Sequence, residues 1–170
     1  MGPILLIVCG LPYAGKSRLS SDLVNALPNA VHIDIDDINA ERGLGLDGEA
    51  VPMTEWSITY QVAYDRIDLA LAGGEVVVFD AGNHSRAQRD VLRMRARSAG
   101  AQSGVIFVNM SVEDSRSRWL ADDTDTMTEA EFDRIVDRFD PPQAAERVLI
   151  YLPGMSVSDL VSGVEQLFEQ

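Results

Sequence analysis

Basic charge is scarce in this sequence, and lysine is almost absent from it. The 170 residues include 14 Lys or Arg against 27 Asp or Glu, a formal net charge of −13, and Lys16 is the single lysine. So acidic a chain has little means of displacing counterions from a polyanion, which argues against broad nucleic-acid affinity. Cysteine is equally rare, and Cys9 alone cannot build an intramolecular disulfide framework. The opening apolar run, Ile4 to Cys9, is far too short to span a membrane and lacks the basic start of a secretory signal. A cytoplasmic protein with no membrane partner is the expectation. What the chain does have is 46% hydrophobic residues, enough for one continuous core, so residues 1–170 are expected to form a single domain.

Apolar runs and helical repeats alternate along that length. Ile4 to Cys9 reads as a strand closed by Gly10, and Leu19, Leu23 and Leu27 repeat with the spacing of a helix face. Val31 to Asp37 begins as an alternating strand and turns acidic at its far end, and residues 41–52 carry three glycines and a proline, marking a loop. A helix from about Thr54 to Ala72, a strand Glu75 to Phe79 delivering Asp80, and a basic helix Arg86 to Ser98 follow. Val105 to Val108, helical pieces at Val112 to Leu120 and Glu129 to Phe139, a last strand Arg147 to Leu152 and a last helix Ser156 to Phe168 complete the order. Five strands alternating with helices predict an α/β fold of three layers, a mostly parallel sheet covered on both faces.

Residues 10–17 read GLPYAGKS, a full G-x-x-x-x-G-K-S match placed between an apolar strand and a helix, where a phosphate loop has to be. Gly10 and Gly15 allow the tight path that turns the backbone N–H groups of Leu11, Pro12's neighbours Tyr13 and Ala14, and the following residues toward an anion, and the helix adds its positive end. Lys16 would bridge the terminal phosphates of ATP, and the Ser17 hydroxyl would coordinate Mg2+. None of the loops carries the N-K-x-D signature of guanine-selecting switches, so a phosphotransferase leads.

Ligands of an open parallel sheet bind beyond the carboxyl ends of its strands, and Asp34, Asp36, Asp37 and Asp80 all fall there. A base must approach the acceptor hydroxyl, and another carboxylate must hold magnesium. Asp36 is the first candidate base, ahead of Asp37 and Asp34; strand alternation would put Asp34 and Asp36 on one side with Asp37 turned away. Asp80, at the end of VVVF, is the candidate magnesium residue. Asn83 and His84 follow in a loop within reach of substrate, His84 serving equally well as a cap, and His32 reads as a satisfied structural histidine. Arg86, Arg89, Arg93 and Arg97 form one basic helix stripe, which solvation explains, with Arg86 and Arg89 nearest the catalytic edge. Trp56, Tyr60 and Tyr64 recur at four-residue spacing, fit either for lining an acceptor pocket or for helix packing. Arg116, Arg118 and the segment ADDTDTMT suggest a lid around residues 116–138, with Asp122, Asp123 and Asp125 turned to solvent, magnesium or a basic acceptor.

GLPYAGKS, the IDIDD strand exit, VVVFDAGNHSRAQR and VNMSVEDSRSRW together resemble the small P-loop kinases that include bacterial chloramphenicol phosphotransferase, zeta toxins and the kinase domain of polynucleotide kinase. The resemblance implies a P-loop NTPase fold with a parallel five-stranded core, use of ATP and magnesium, a base at Asp36, a metal-side carboxylate at Asp80 and a lid arginine at Arg118. Two departures stand out. Where polynucleotide kinases carry D-D-x-R this chain has DDIN with Asn39, leaving Arg42 as a substitute only if its loop turns inward, and no second lid arginine follows Arg118. The sequence therefore points to an ATP-dependent kinase of a small-molecule hydroxyl (a nucleoside, sugar or antibiotic-like alcohol). The alternatives are a polynucleotide 5′-hydroxyl kinase and a nonkinase nucleotide-binding regulator. Monomer and homodimer are both compatible with the charge pattern.

Overall fold

A computed structural model describes residues 2–46, 49–123 and 127–169. Strand β1 (Ile4–Gly10) is buried along its whole length and lies at the middle of a five-stranded sheet in the order β2-β3-β1-β4-β5. The partners are β2 (Ala30–Asp34), β3 (Val76–Asp80), β4 (Gln102–Val108) and β5 (Val148–Tyr151), and every pairing is parallel. A strand covered on both faces needs apolar side chains at successive positions, which the unbroken ILLIVC run supplies.

Alternate residues of β1 feed two cores. Leu5, Ile7 and Cys9 pack with Ala63 and Ile67 of α3 (Met53–Ala72) and Leu92 and Ala96 of α4 (Arg86–Ser98). Ile4, Leu6 and Val8 pack with Leu19 and Leu23 of α1 (Lys16–Ala26) and Leu160 and Val164 of α7 (Val157–Phe168). Two helices thus cover each face, and each large aliphatic side chain so buried contributes roughly 1.5–3 kcal/mol against exposure. Gly10 is required by close approach of strands: a Cβ there would lie 2.9 Å from the Val108 carbonyl oxygen.

The strand that was expected to run on to Asp37 stops at Asp34, whose side chain accepts hydrogen bonds from the backbone N–H of Asp36 (2.7 Å) and Asp37 (3.4 Å) and caps α2 (Ile35–Glu41). An aspartate followed by two acidic residues in a first helical turn is favourable for both the cap and the helix dipole, and this outweighs continuation of the strand. Strand alternation therefore does not govern Asp36 and Asp37. The remaining helices are α5 (Val112–Leu120) and α6 (Glu129–Arg138), with a short 3-10 turn at Ala144–Glu146 before β5. Among the described residues no helix is long and apolar enough to cross a membrane.

Candidate active site

The loop between β1 and α1 sits at the carboxyl end of the central strand. Gly15 occupies the left-handed region at φ 93°, and Tyr13 joins it there at φ 59°, a conformation a non-glycine residue holds only where its surroundings enforce it. Helices α2, α4, α5, α6 and α7 each close their first turn on a side chain. Helix α1 has no such cap and no acidic residue in its first turn, so its amide donors and dipole are left for an anion. Lys16 Nζ donates to the Leu11 carbonyl at 2.8 Å, and burial lowers its pKa against the opposing pull of Asp80, Cys9 and Asp36. A half-buried ammonium beside the uncapped end of α1 is placed for phosphate oxygens.

Two clefts open from this loop. The larger, about 690 Å³, takes Pro12, Tyr13, Gly15, Lys16 and Ser17 from the loop and its helix, and Asp34, Asp36 and Asp80 from the neighbouring strand ends. The smaller, about 420 Å³, lies between Ala14, Gly15 and Arg118 on one side and the β5–α7 turn at Pro153 and Gly154 on the other. Leu11 and Ala14 are themselves buried, so they contribute backbone while their side chains join the core.

Acidic groups converge at one corner of the larger cleft. Asp80 is buried, its Oδ2 has no hydrogen-bond partner, and His32 Nε2 lies 3.8 Å from that oxygen. His32 is not the satisfied structural residue expected from its place in the strand: its Nε2 is equally without a hydrogen bond, and the Asp80 carboxylate raises its pKa. One ligand atom each from His32, Asp34 and Asp80 falls within 4.8 Å of the others. Burial pushes the Asp34 carboxyl up to about 6, with Asp80 and Asp36 adding to the rise and its capping bonds opposing it. Asp36 is also raised, by desolvation in the cleft and then by Asp80 and Asp37, while Lys16 pulls it down. A buried carboxylate oxygen without a donor, among further carboxylates and beside the Ser17 hydroxyl's cleft, suits a hard divalent cation such as Mg2+.

The opposite wall is aromatic and apolar. Trp56 and Tyr60 line it with ring centroids 6.3 Å apart, joined by Ile35 and by Met127 and Ile135 from the α5–α6 side. Burial pushes the Tyr60 phenol up to about 12 and the His84 imidazole down to about 4, the latter helped by Lys16 and Arg89. His84 lines the cleft and is not a cap; Ser85 performs that task for α4. Gly82 makes room for it, since a Cβ there would lie 2.8 Å from His84 Cε1.

Several candidates lie elsewhere. Tyr64 points away and packs under Arg95, whose guanidinium carbon is 4.4 Å from its ring centroid. Asn83 is buried, donating to the Val8 carbonyl at 2.8 Å and holding its own loop against β1. Asp37 is exposed on the first turn of α2 outside the cleft lining. Arg86 stays on the surface near Asp90 (3.6 Å) and Gln143. The arginine stripe is split: Arg89 is completely buried in a two-pronged pair with Glu146, at 2.8 and 3.2 Å. Arg42 does not reach the cleft, because Glu55 and Thr59 hold it on α3, and Asn39 accepts from Thr59 at 2.6 Å. Gln88, Met127 and Ile135 line the cleft without any local sequence signal.

Helices α5 and α6 form one unit beside the loop. Trp119 stacks on Phe132 (5.0 Å, 16°), Arg116 lies over the same ring and pairs with Asp133, and Ser115 Oγ donates to the Pro12 carbonyl at 2.5 Å. Arg118 Nη1 donates to the Tyr13 carbonyl at 3.3 Å. Asp122 and Asp123 are exposed and outside both clefts; Asp125 lies outside the described residues.

The same architecture occurs in solved structures. A protein from Chloroflexus aurantiacus superimposes with a TM-score of 0.78 at 18% identity, covering 99% of this chain and 100% of that one. Chaetomium thermophilum Kti12, solved with ADP-AlF3, gives 0.74 at 18% identity with 97% of each chain covered. Mycobacterium tuberculosis APS kinase CysC, solved with AMPPNP and APS, gives 0.70 at 16% identity with 99% of each covered. At these identities the likeness establishes the fold. No curated protein sequence matches. A family model does: AAA_33, described as an AAA domain, matches residues 5–142. With the phosphate loop, both acidic strand ends and α5 inside that span, the chain belongs to the AAA_33 family and has a P-loop kinase fold.

Proposed function

We propose that the protein transfers the γ-phosphate of ATP to a hydroxyl of a small molecule, with residues 1–170 acting as one kinase domain. What supports this reading most is that Lys16, Asp36 and Asp80 line one cleft together with the phosphate loop. Backbone N–H groups of the loop and the uncapped end of α1 hold the β- and γ-phosphates, and Lys16 adds its charge there. The adenosine side of the nucleotide takes the smaller cleft beside Arg118. Ser17 and Asp80 hold Mg2+, which supplies charge neutralisation on the phosphates. Asp36 takes the proton as the acceptor oxygen attacks the γ-phosphorus and the bond from that phosphorus to the β-phosphate oxygen breaks, releasing ADP. Desolvation, Asp80 and Asp37 raise its pKa, which strengthens the carboxylate as a base toward the acceptor hydroxyl. Residues 116–138 act as the lid, with Arg118 moving from the Tyr13 carbonyl to the transferring phosphate and water kept from it.

The test is an acceptor screen with γ-labelled ATP and Mg2+ over nucleosides, sugars, other alcohols and 5′-hydroxyl oligonucleotides. Label on a small alcohol, lost in Lys16→Ala, is the expected result. Label on oligonucleotide ends alone, or tight nucleotide binding with transfer to nothing, contradicts the proposal.

A further inference from the structure

Resting on the kinase reading, the acceptor half of the larger cleft carries a charge selection of its own. Among the described residues that line it, the cationic side chains are Lys16 and Arg18, both on the phosphate-loop side in the first turn of α1. The acceptor side presents Asp34, Asp36 and Asp80. Three arginines on the elements around the acceptor half, Arg42, Arg86 and Arg89, are already engaged. Arg42 is held by Glu55 at 2.5 Å and by Thr59, Arg89 by Glu146 in full burial, and Arg86 lies by Asp90. His84 is held neutral by the same burial that fixes its ring over Gly82.

A carboxylate or phosphate on the acceptor would therefore meet Asp34, Asp36 and Asp80, while the cations lining the cleft, Lys16 and Arg18, lie on the phosphate-loop side. Magnesium would offset Asp34 and Asp80, but ATP brings further negative charge to the same place. The facing wall offers the rings of Trp56 and Tyr60 and the side chain of Ile35, surfaces that reward a flat apolar group or a cation over a ring face. We infer that the acceptor is a ring-bearing alcohol that is neutral or cationic, and that the cleft rejects acceptors bearing a carboxylate or phosphate.

Three probes share a phenyl ring and a benzylic hydroxyl and carry an ammonium, a hydroxyl or a carboxylate on the terminal carbon: phenylethanolamine, styrene glycol and mandelate. Their binding to the full chain loaded with Mg2+ and AMPPNP is read by calorimetry and saturation-transfer NMR near neutral pH. The expected order places mandelate about tenfold or more weaker than the other two, and glycerol, which has no ring, weaker than styrene glycol. In Tyr60→Arg, and in Trp56→Arg should the first variant not fold, mandelate gains and phenylethanolamine loses. Mandelate binding as tightly as styrene glycol in the natural chain, glycerol matching styrene glycol, or no binding by any probe overturns the inference. Transfer from labelled ATP is read separately. Acceptors phosphorylated without regard to charge sink the inference alone, whereas the binding order without transfer to any alcohol sinks the kinase reading alone.

Discussion

His84 is the residue whose environment has the clearest consequence for pH. Its folded pKa near 4 lies below its ordinary 6.5, first through burial and then through the positive charges of Lys16 and Arg89. The unfolded chain binds the proton more readily, so the stability this residue contributes is present above pH 6.5 and is lost as pH falls from there toward 4. The full window corresponds to about 3 kcal/mol, and residual solvent contact reduces this to on the order of 2 kcal/mol. Asp34, raised to about 6, works in the opposite sense: its folded form holds the proton more tightly, so its contribution is lost as pH rises through that value. Urea unfolding of the natural chain and His84→Gln from pH 7 to pH 4.5 isolates the histidine. The natural chain should lose more stability over that range; parallel curves would show that the imidazole is not held neutral. Sequence alone could place His84 in a loop near substrate but could not show that Gly82 and Phe139 enclose it. Arg89 was obscured for a similar reason. Its helical spacing matches a solvated stripe, and its partner Glu146 is 57 positions away in a turn that only the packed α4 and β5 bring near.

Helices α5 and α6 meet the phosphate loop through Ser115 and Arg118 and meet each other through Phe132. It is completely buried, stacked on Trp119 and covered by Arg116. Phe132→Ala should cost about 3–5 kcal/mol in global stability if the unit unfolds with the rest. If α5 and α6 loosen alone, Tm should change little and ATP affinity should fall through loss of Arg118's placement. Calorimetric unfolding together with nucleotide titration separates these outcomes; a variant unchanged in both would mean that the two helices do not act as a unit. The helices were legible because caps and periodicity are local: Thr128 with Glu131 forms a reciprocal cap that the chain announces three residues apart. The exit of β2 was not legible in the same way. IDIDD satisfies both an alternating strand and a capped helix, and the choice was made by Asp34 accepting two backbone N–H bonds while Ile35 and Ile38 entered the core.

Lys16, Arg18 and Arg118 stand beside the phosphate loop, whereas other arginines pair with acids elsewhere, Arg66 with Glu41 and Arg95 with Asp68. Alternating strands and helices fitted a parallel sheet, whereas the order β2-β3-β1-β4-β5 depends on contacts far apart in sequence. That order sets β1 between β3 and β4 and so brings Lys16, Asp80 and, through β2, Asp36 to one cleft. Phosphate loop, strand-end acids and the Trp56–Tyr60 pair of α3 could be read from the chain; the part of the cleft wall supplied by the β3–α4 loop, Met127 and Ile135 could not. Under the proposed mechanism Asp36 removes the acceptor's proton and leaves nucleotide binding to the loop. This role is tested most directly by Asp36→Asn on an acceptor found in the screen, comparing the Kd for ATP with the single-turnover transfer rate. ATP affinity should stay within about twofold of the natural chain while the transfer rate falls by roughly 10²–10⁴-fold. Transfer at the natural rate in that variant would contradict the role.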